Sequence, residues 1–207
     1  MAIDTPPAPV TPGLRERARR AVRSELTDVA MDLFLLRGFE ATTVDEIAAA
    51  AGISRRSLFR YFASKEAIIF DNLQDLGEEV AEALAQRPGA EDPWTSLRRS
   101  FELFLAYNER DPDRTLAFYT MLEETAALKA RYYEQLMRWQ ELLVPDIAVR
   151  LGQPAGEDPA GPHAAAVVGS ALACLYAANT AWRHSEGKAD VVGLLDDAMR
   201  AVRPVDL

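Results

Sequence analysis

The 207-residue chain contains one cysteine, Cys174, two histidines and three lysines. A single cysteine excludes an internal disulfide framework and any multi-cysteine zinc site, and it fits a reducing, cytoplasmic compartment. With only His163, His184 and Cys174 beside the carboxylates, no metal or cofactor site is expected. If Cys174 and His184 share a helix, a rise of roughly 1.5 Å per residue sets them about 15 Å apart, too far for a nucleophile–base pair. Cys174 reads instead as a small core hydrophobe. No Gly-rich phosphate loop of either main type occurs. These absences leave a small helical enzyme as a remote alternative, with no catalytic residue to name. No Asn-x-Ser/Thr acceptor is present either.

Long hydrophobic runs are equally scarce. Ala164–Trp182 carries no charge and matches a membrane-crossing helix in length. It is rich in alanine, however, and includes Gly169, Ser170, Asn179 and Thr180. A spanning helix needs more Leu, Ile, Phe or Val. A buried helix with close neighbours is expected, and no membrane. Residues 1–13 lack a basic stretch followed by an apolar one, so no signal peptide is expected. Their proline and small residues predict a disordered arm.

Hydrophobic residues make up 49% and charged residues 27%, which excludes global disorder. The formal net charge is −9, but it is unevenly placed. Residues 1–70 hold ten basic and nine acidic side chains, whereas residues 71–207 hold thirteen and twenty-three. Arg15, Arg17, Arg19, Arg20 and Arg23 crowd beside one acid, Glu16, and Arg55, Arg56, Arg60 and Lys65 have no acid between them. Such a balance excludes non-specific nucleic-acid binding by the whole surface and leaves room for one basic face. Arginine outnumbers lysine twenty to three. A GC-rich coding sequence would produce the same bias, so arginine content alone is not read as function.

The apolar spacing is helical throughout. Val22, Leu26, Val29, Ala30, Leu33 and Phe34 stripe a helix over 14–37, closed by Gly38. Thr43 and Glu46 form a capping box for a short helix through Ala51. Gly52 and Ile53 make a turn, Ser54 caps a second short helix to about Phe62, and Ser64 caps a long one to about Ala85. Asp92-Pro93 and Asp111-Pro112 each pair a cap with a proline at the first helical position. A helix over 126–151 should kink at Pro145, and residues 152–162 read as a loop. Two more helices span about 163–184 and 190–202. With no alternating pattern and no repeat, the expectation is an all-α protein of about nine helices.

Two short helices joined by a glycine turn, with arginines opening the second, form a helix-turn-helix signature. The second helix would enter the major groove N-terminus first. Arg55 and Arg56 could then grip guanine O6 and N7, and Phe59, off the Leu58–Phe62 stripe, could touch a thymine methyl or sugar. Ser57, Arg60, Tyr61 and Lys65 are suited to phosphate oxygens, which set register.

Residues 14–70, and above all 42–69, resemble the DNA-binding domain of the tetracycline-repressor (TetR) family. The matching elements are Gly38-Phe39, Thr43, Ile47-Ala48, Ala51-Gly52-Ile53, Leu58-Phe59-Arg60-Tyr61-Phe62 and Ser64-Lys65-Glu66. The resemblance implies a homodimeric bacterial repressor without cofactor, bound to a double-stranded operator. Its helix-turn-helix domain would cover 14–62, and a ligand-binding and dimerisation domain 63–207. Thr43, Ser57, Tyr61 and Lys65 match positions that usually grip phosphates in the family; Arg55, Arg56 and Phe59 match positions that usually reach bases. At Arg56 the family often carries a small residue or another donor.

The last two helices would pair with the partner subunit, and small residues suit such packing. The middle segment also resembles TetR-type regulators that sense fatty-acyl or other lipophilic effectors. A small apolar or amphipathic effector would sit between the helices of residues 94–183, lined by Phe101, Phe104, Phe118, Tyr119, Leu122, Tyr132, Met137, Trp139 and Tyr176. The competing readings are a repressor controlled by a protein partner or needing no ligand, and an adaptor with a relic DNA domain.

Overall fold

The computed structural model describes residues 13–152 and 162–202. The arm expected at the N-terminus and nearly all of the 152–162 loop lie outside the described residues. Among the described residues every regular element is a helix. They are α1 (Leu14–Arg37), α2 (Val44–Ala50), α3 (Arg55–Phe59), α4 (Lys65–Ile69), α5 (Asp71–Ala85), α6 (Pro93–Ser100), α7 (Glu102–Glu109), α8 (Pro112–Glu124), α9 (Ala126–Arg150), α10 (Pro162–His184) and α11 (Val191–Val202).

The expected caps form. Gly38 closes α1 with φ 85°, its N–H donating to the Phe34 carbonyl. Thr43 and Glu46 make the reciprocal capping box. Ser54, Ser64, Asp92 and Asp111 each accept a backbone N–H three residues on, satisfying donors that helix geometry leaves unpaired.

The described residues form eleven helices where about nine were expected, because two predicted helices are interrupted, at Phe70 and at Phe101. Phe70 leaves helical geometry (φ −92°, ψ 6°) and Phe101 loosens (φ −71°, ψ −10°). Four-residue hydrogen bonds still run into and out of both positions. The interruptions are therefore local distortions at buried phenylalanines, and apolar periodicity does not register them. Another difference lies at α3, which ends at Phe59 rather than near Phe62; Arg60 closes it with a tighter three-residue bond to Ser57. Pro145 lies inside α9, which runs on to Arg150.

One buried cluster runs from Leu26, Ala30 and Phe34 of α1 through Ile47, Leu58 and Phe62 to Ile68, Ile69 and Phe70, and on into the larger helical body. Phe62 is thus no gap in the core. In that body α5 packs on α9, and α10 lies against α9, α11, α6 and α8. By length and composition α10 is the one described helix apolar enough to cross a membrane. Nine of its side chains, Leu172, Cys174 and Asn179 among them, are buried inside the protein.

Candidate nucleic-acid interface and the cavity behind it

The helix-turn-helix is built from within. Ile47, Ala48, Leu58 and Phe62 are buried, as the spacing required. That burial fixes α2 against α3 and turns the remaining faces outward. Arg55, Arg56 and Arg60 are exposed, and the Phe59 ring is 43% exposed. An aromatic ring left in water on this face is available for contact.

Several of these groups already have partners. Arg55 Nη1 donates to Asp45 Oδ2 of α2 at 3.0 Å, and its guanidinium lies 5.5 Å from the Phe59 ring centroid. Both charges are mostly exposed, so the pair is worth at most about 1 kcal/mol and a nucleic-acid partner can displace it. Thr43 Oγ1 donates to Glu46 Oε2 and accepts the Glu46 N–H. The Thr43 backbone N–H also donates to Glu46 Oε2, and this bond first, then the Thr43 hydroxyl and the Arg37 cation nearby, holds the Glu46 carboxyl below its ordinary pKa. Ser57 Oγ lies 2.9 Å from Ser54 Oγ. Lys65 is engaged most deeply: Nζ donates to the Phe39 and Thr42 carbonyls at 2.7 and 3.1 Å and sits 4.0 Å from the Phe39 ring centroid. It therefore ties the start of α4 to the loop between α1 and α2.

The arginine run of α1 divides in two. Arg23 pairs with buried Asp71, and Arg20 reaches Asp75, so these two fasten α1 to α5. Arg15 and Arg19 instead line an open groove with Val22, Arg60 and Tyr61. This places a second cationic strip beside the end of α3. The sequence showed the arginines without showing which of them the acids of α5 neutralise.

Behind this end lies a cavity of about 490 Å³, bounded by α1, α4, α5, α7 and α8. Of the nine residues expected there, Phe104, Phe118 and Tyr119 line it. Phe101, Leu122, Tyr132 and Trp139 are buried elsewhere in the core, Met137 is 54% exposed, and the Tyr176 ring lies tilted against Tyr132 and Tyr133. The aromatic side chains pack largely on one another, as in the Phe104–Trp139 edge contact at 5.6 Å. Burial pushes the Tyr119 phenol well above its ordinary pKa, so that side chain stays neutral.

Sequence reasoning missed the α1 side of the wall, Thr27, Asp28 and Met31, and its polar edge at Arg110 and Arg114. Arg114 Nη1 donates to Asp32 Oδ1 at 2.8 Å, and Nη2 donates to Asp28 at both its carboxylate and its backbone oxygen. The four-residue spacing of Asp28 and Asp32 was a visible signal. Their partner, 82 residues from Asp32 and 86 from Asp28, was not. Another wall residue, buried Asn108, donates to Asn179 of α10 at 3.1 Å.

Among the described residues no three His, Cys, Asp or Glu side chains converge on a metal site. Cys174 is buried, which raises its thiol pKa and leaves it a core residue.

An all-helical chain that presents a helix-turn-helix at one end and an internal cavity behind it has the build of a DNA-binding regulator. The pattern described as bacterial regulatory proteins, tetR family, matches residues 26–71, and that of the MftR C-terminal domain matches residues 91–206, more than half of the chain. The chain belongs to the TetR family: it is a DNA-binding transcriptional regulator and not an enzyme. It is 33% identical over 165 residues to the transcriptional regulator TcmR of Streptomyces glaucescens, covering 75% of this chain and 73% of TcmR. It is 32% identical over 143 residues to MftR of Mycobacterium tuberculosis, covering 66% and 69%. The fold resembles the repressor FadR of Thermus thermophilus, solved with lauroyl-CoA, at TM-score 0.57 and 26% identity over 89% of this chain and 98% of FadR. It also resembles SmeT, solved with triclosan, at TM-score 0.60 and 17% identity over 87% and 91%.

Proposed function

We propose that the chain is a ligand-responsive repressor: a cytoplasmic homodimer that holds a near-palindromic operator and is released from it by a small apolar or amphipathic molecule. The carrying observation is the cavity's position, with α1 of the DNA-binding end as one wall and α7 and α8 as others. A cavity of about 490 Å³ falls within the range that small-molecule sites occupy. A ligand there meets both parts of the molecule at once. FadR, the structural relative at 26% identity, holds lauroyl-CoA.

In this reading Arg55, Arg56 and Phe59 reach base edges, and Thr43, Ser57, Arg60, Tyr61 and Lys65 meet phosphates. Lys65 has one of its three donors left for that contact. The helix-turn-helix domain spans 14–62 and the remainder carries the cavity and the dimer surface. Ala166, Ala173 and Ala177 leave one face of α10 exposed and free of bulk, which suits close pairing with a second copy. A two-fold dimer places its recognition helices about 34 Å apart, one helical turn of DNA, or a multiple of that. Release follows when the ligand binds better to a conformer with a different spacing.

Selection from a pool of random duplexes tests the reading. A near-palindromic consensus bound by a dimer is expected. Enrichment of no sequence, or a monomer at micromolar concentration by light scattering, overturns it.

A further inference from the structure

We propose, building on the cavity as the effector site, that its ligand is an amphipathic anion and that the anion works by taking Arg114 away from α1. Arg114 has two roles at one place. The residue lines the cavity, and its guanidinium clasps Asp28 and Asp32, one turn apart on α1. The clasp joins α8 to the helix on which the DNA-binding end is built.

The chemistry of the wall selects the ligand. Its buried part is mostly apolar, formed by Met31, Ile69, Phe104 and Tyr119; buried Thr27 and Asn108 also line it, but their side chains donate to the Ile68 carbonyl and to Asn179. Its outer edge carries exposed Arg110, Asp28 and Asp111 with half-buried Arg114. The two acids are engaged: Asp28 accepts from Arg114, and Asp111 caps α8. Among the described residues Arg110 has no carboxylate partner, and its guanidinium lies over the Tyr107 ring, 5.9 Å from the centroid. The edge therefore offers one unneutralised guanidinium and one whose partners are solvent-exposed and exchangeable. An apolar tail with a carboxylate, sulfate or phosphate head matches both regions. A cationic head meets Arg110 unfavourably, and an uncharged molecule has no means of competing for Arg114.

A guanidinium bonded to two aspartates and a backbone carbonyl has few donors left. Each edge that could bind an anion in bidentate fashion includes Nη2, so such an anion must take over at least one bond that Nη2 makes to Asp28. Ligand and clasp thus compete, and their coupling is reciprocal.

The experiment uses the full chain and three probes of equal chain length: decanoate, decanol and decyltrimethylammonium. Calorimetry is expected to show decanoate binding about tenfold or more tightly than the other two, the scale of one charge-assisted contact. Asp32 lies outside the cavity wall and enters only through the clasp. Asp32→Asn is expected to bind decanoate about fivefold more tightly and the selected operator more weakly by a similar factor. Asp113→Asn removes the same charge beside Arg114 and is expected to change neither.

If decanoate and decanol bind alike, the anionic head and the clasp mechanism fail while the cavity stands as a ligand site. Equal shifts for Asp32→Asn and Asp113→Asn would show a charge effect and overturn the clasp. If no probe binds, the effector reading of the cavity fails with it.

Discussion

The indole of Trp139 packs directly on the bare backbone of Gly77, so closely that a Cβ there would lie 2.3 Å from Nε1. The contact joins α5 to α9, and Nε1 donates to the Leu73 carbonyl at 3.1 Å. A glycine inside a helix ordinarily costs about 1 kcal/mol relative to alanine. Here it is required, because Trp139 is buried and wedged edge-on against Phe104. Gly77→Ala sets a gain in helix propensity against overpacking of about 1–3 kcal/mol. Overpacking wins, since three indole atoms lie within 2.8 Å of the new methyl and the ring is held by Phe104. Thermal unfolding should show a lower midpoint. A higher one would mean that the indole has room to move.

Arg55 and the α1 arginines should separate under salt. Arg55→Ala is expected to lose roughly 1–3 kcal/mol of discrimination against altered guanines. Arg15→Ala with Arg19→Ala should weaken all duplexes alike. Each lost phosphate contact then flattens the slope of log affinity against log salt by about 0.9. Operator titrations at several salt concentrations, with matched and mismatched duplexes, distinguish the two. A change of preferred bases in the Arg15/Arg19 variant would overturn this division of contacts.

Filling the cavity should uncouple sensing from DNA binding. Leu73 contributes its side chain to the wall, while its carbonyl accepts the Trp139 N–H. Leu73→Trp keeps that carbonyl and occupies the space. Operator affinity measured with and without decanoate should then be equal, at the value of the unliganded wild type. An intact response would place the effector elsewhere.

Acid should expose the Glu91 anchor. Arg87 binds this carboxylate through two hydrogen bonds and Ser96 adds a third, which holds its pKa at about 2. A depressed carboxylate pKa stabilises the fold above the ordinary value of 4.5, and that contribution is lost as pH falls toward 2. Wild type should therefore unfold at higher denaturant than Glu91→Gln above pH 4.5, with the difference shrinking below it. A difference independent of pH would show that shape, not charge, sets the effect.

Much of the DNA-binding end was legible because its determinants are local. Thr43 and Glu46 cap each other across three residues, and Leu58 and Phe62 share a face at four. Hydrogen bonds and apolar stripes of that reach repeat with the helix itself, so residue order alone exposes them. The same reach explains Gly38 and the Asp-Pro starts of α6 and α8.

Residue order determined the all-helical class, the caps, the outward set of Arg55, Arg56 and Phe59, and the resemblance to one family. Tertiary structure decided the rest. It assigned Arg20 and Arg23 to the acids of α5 and left Arg15 and Arg19 on the groove beside Arg60. It packed Tyr132 and Trp139 into the core and put Met31 and Arg114 on the cavity wall. The physical reason is distance along the chain. Periodicity reports which face of a helix is apolar, but a cavity is the space left where several helices meet imperfectly. That space, like the Arg114 clasp across 82 residues, depends on relative placements that no single helix encodes.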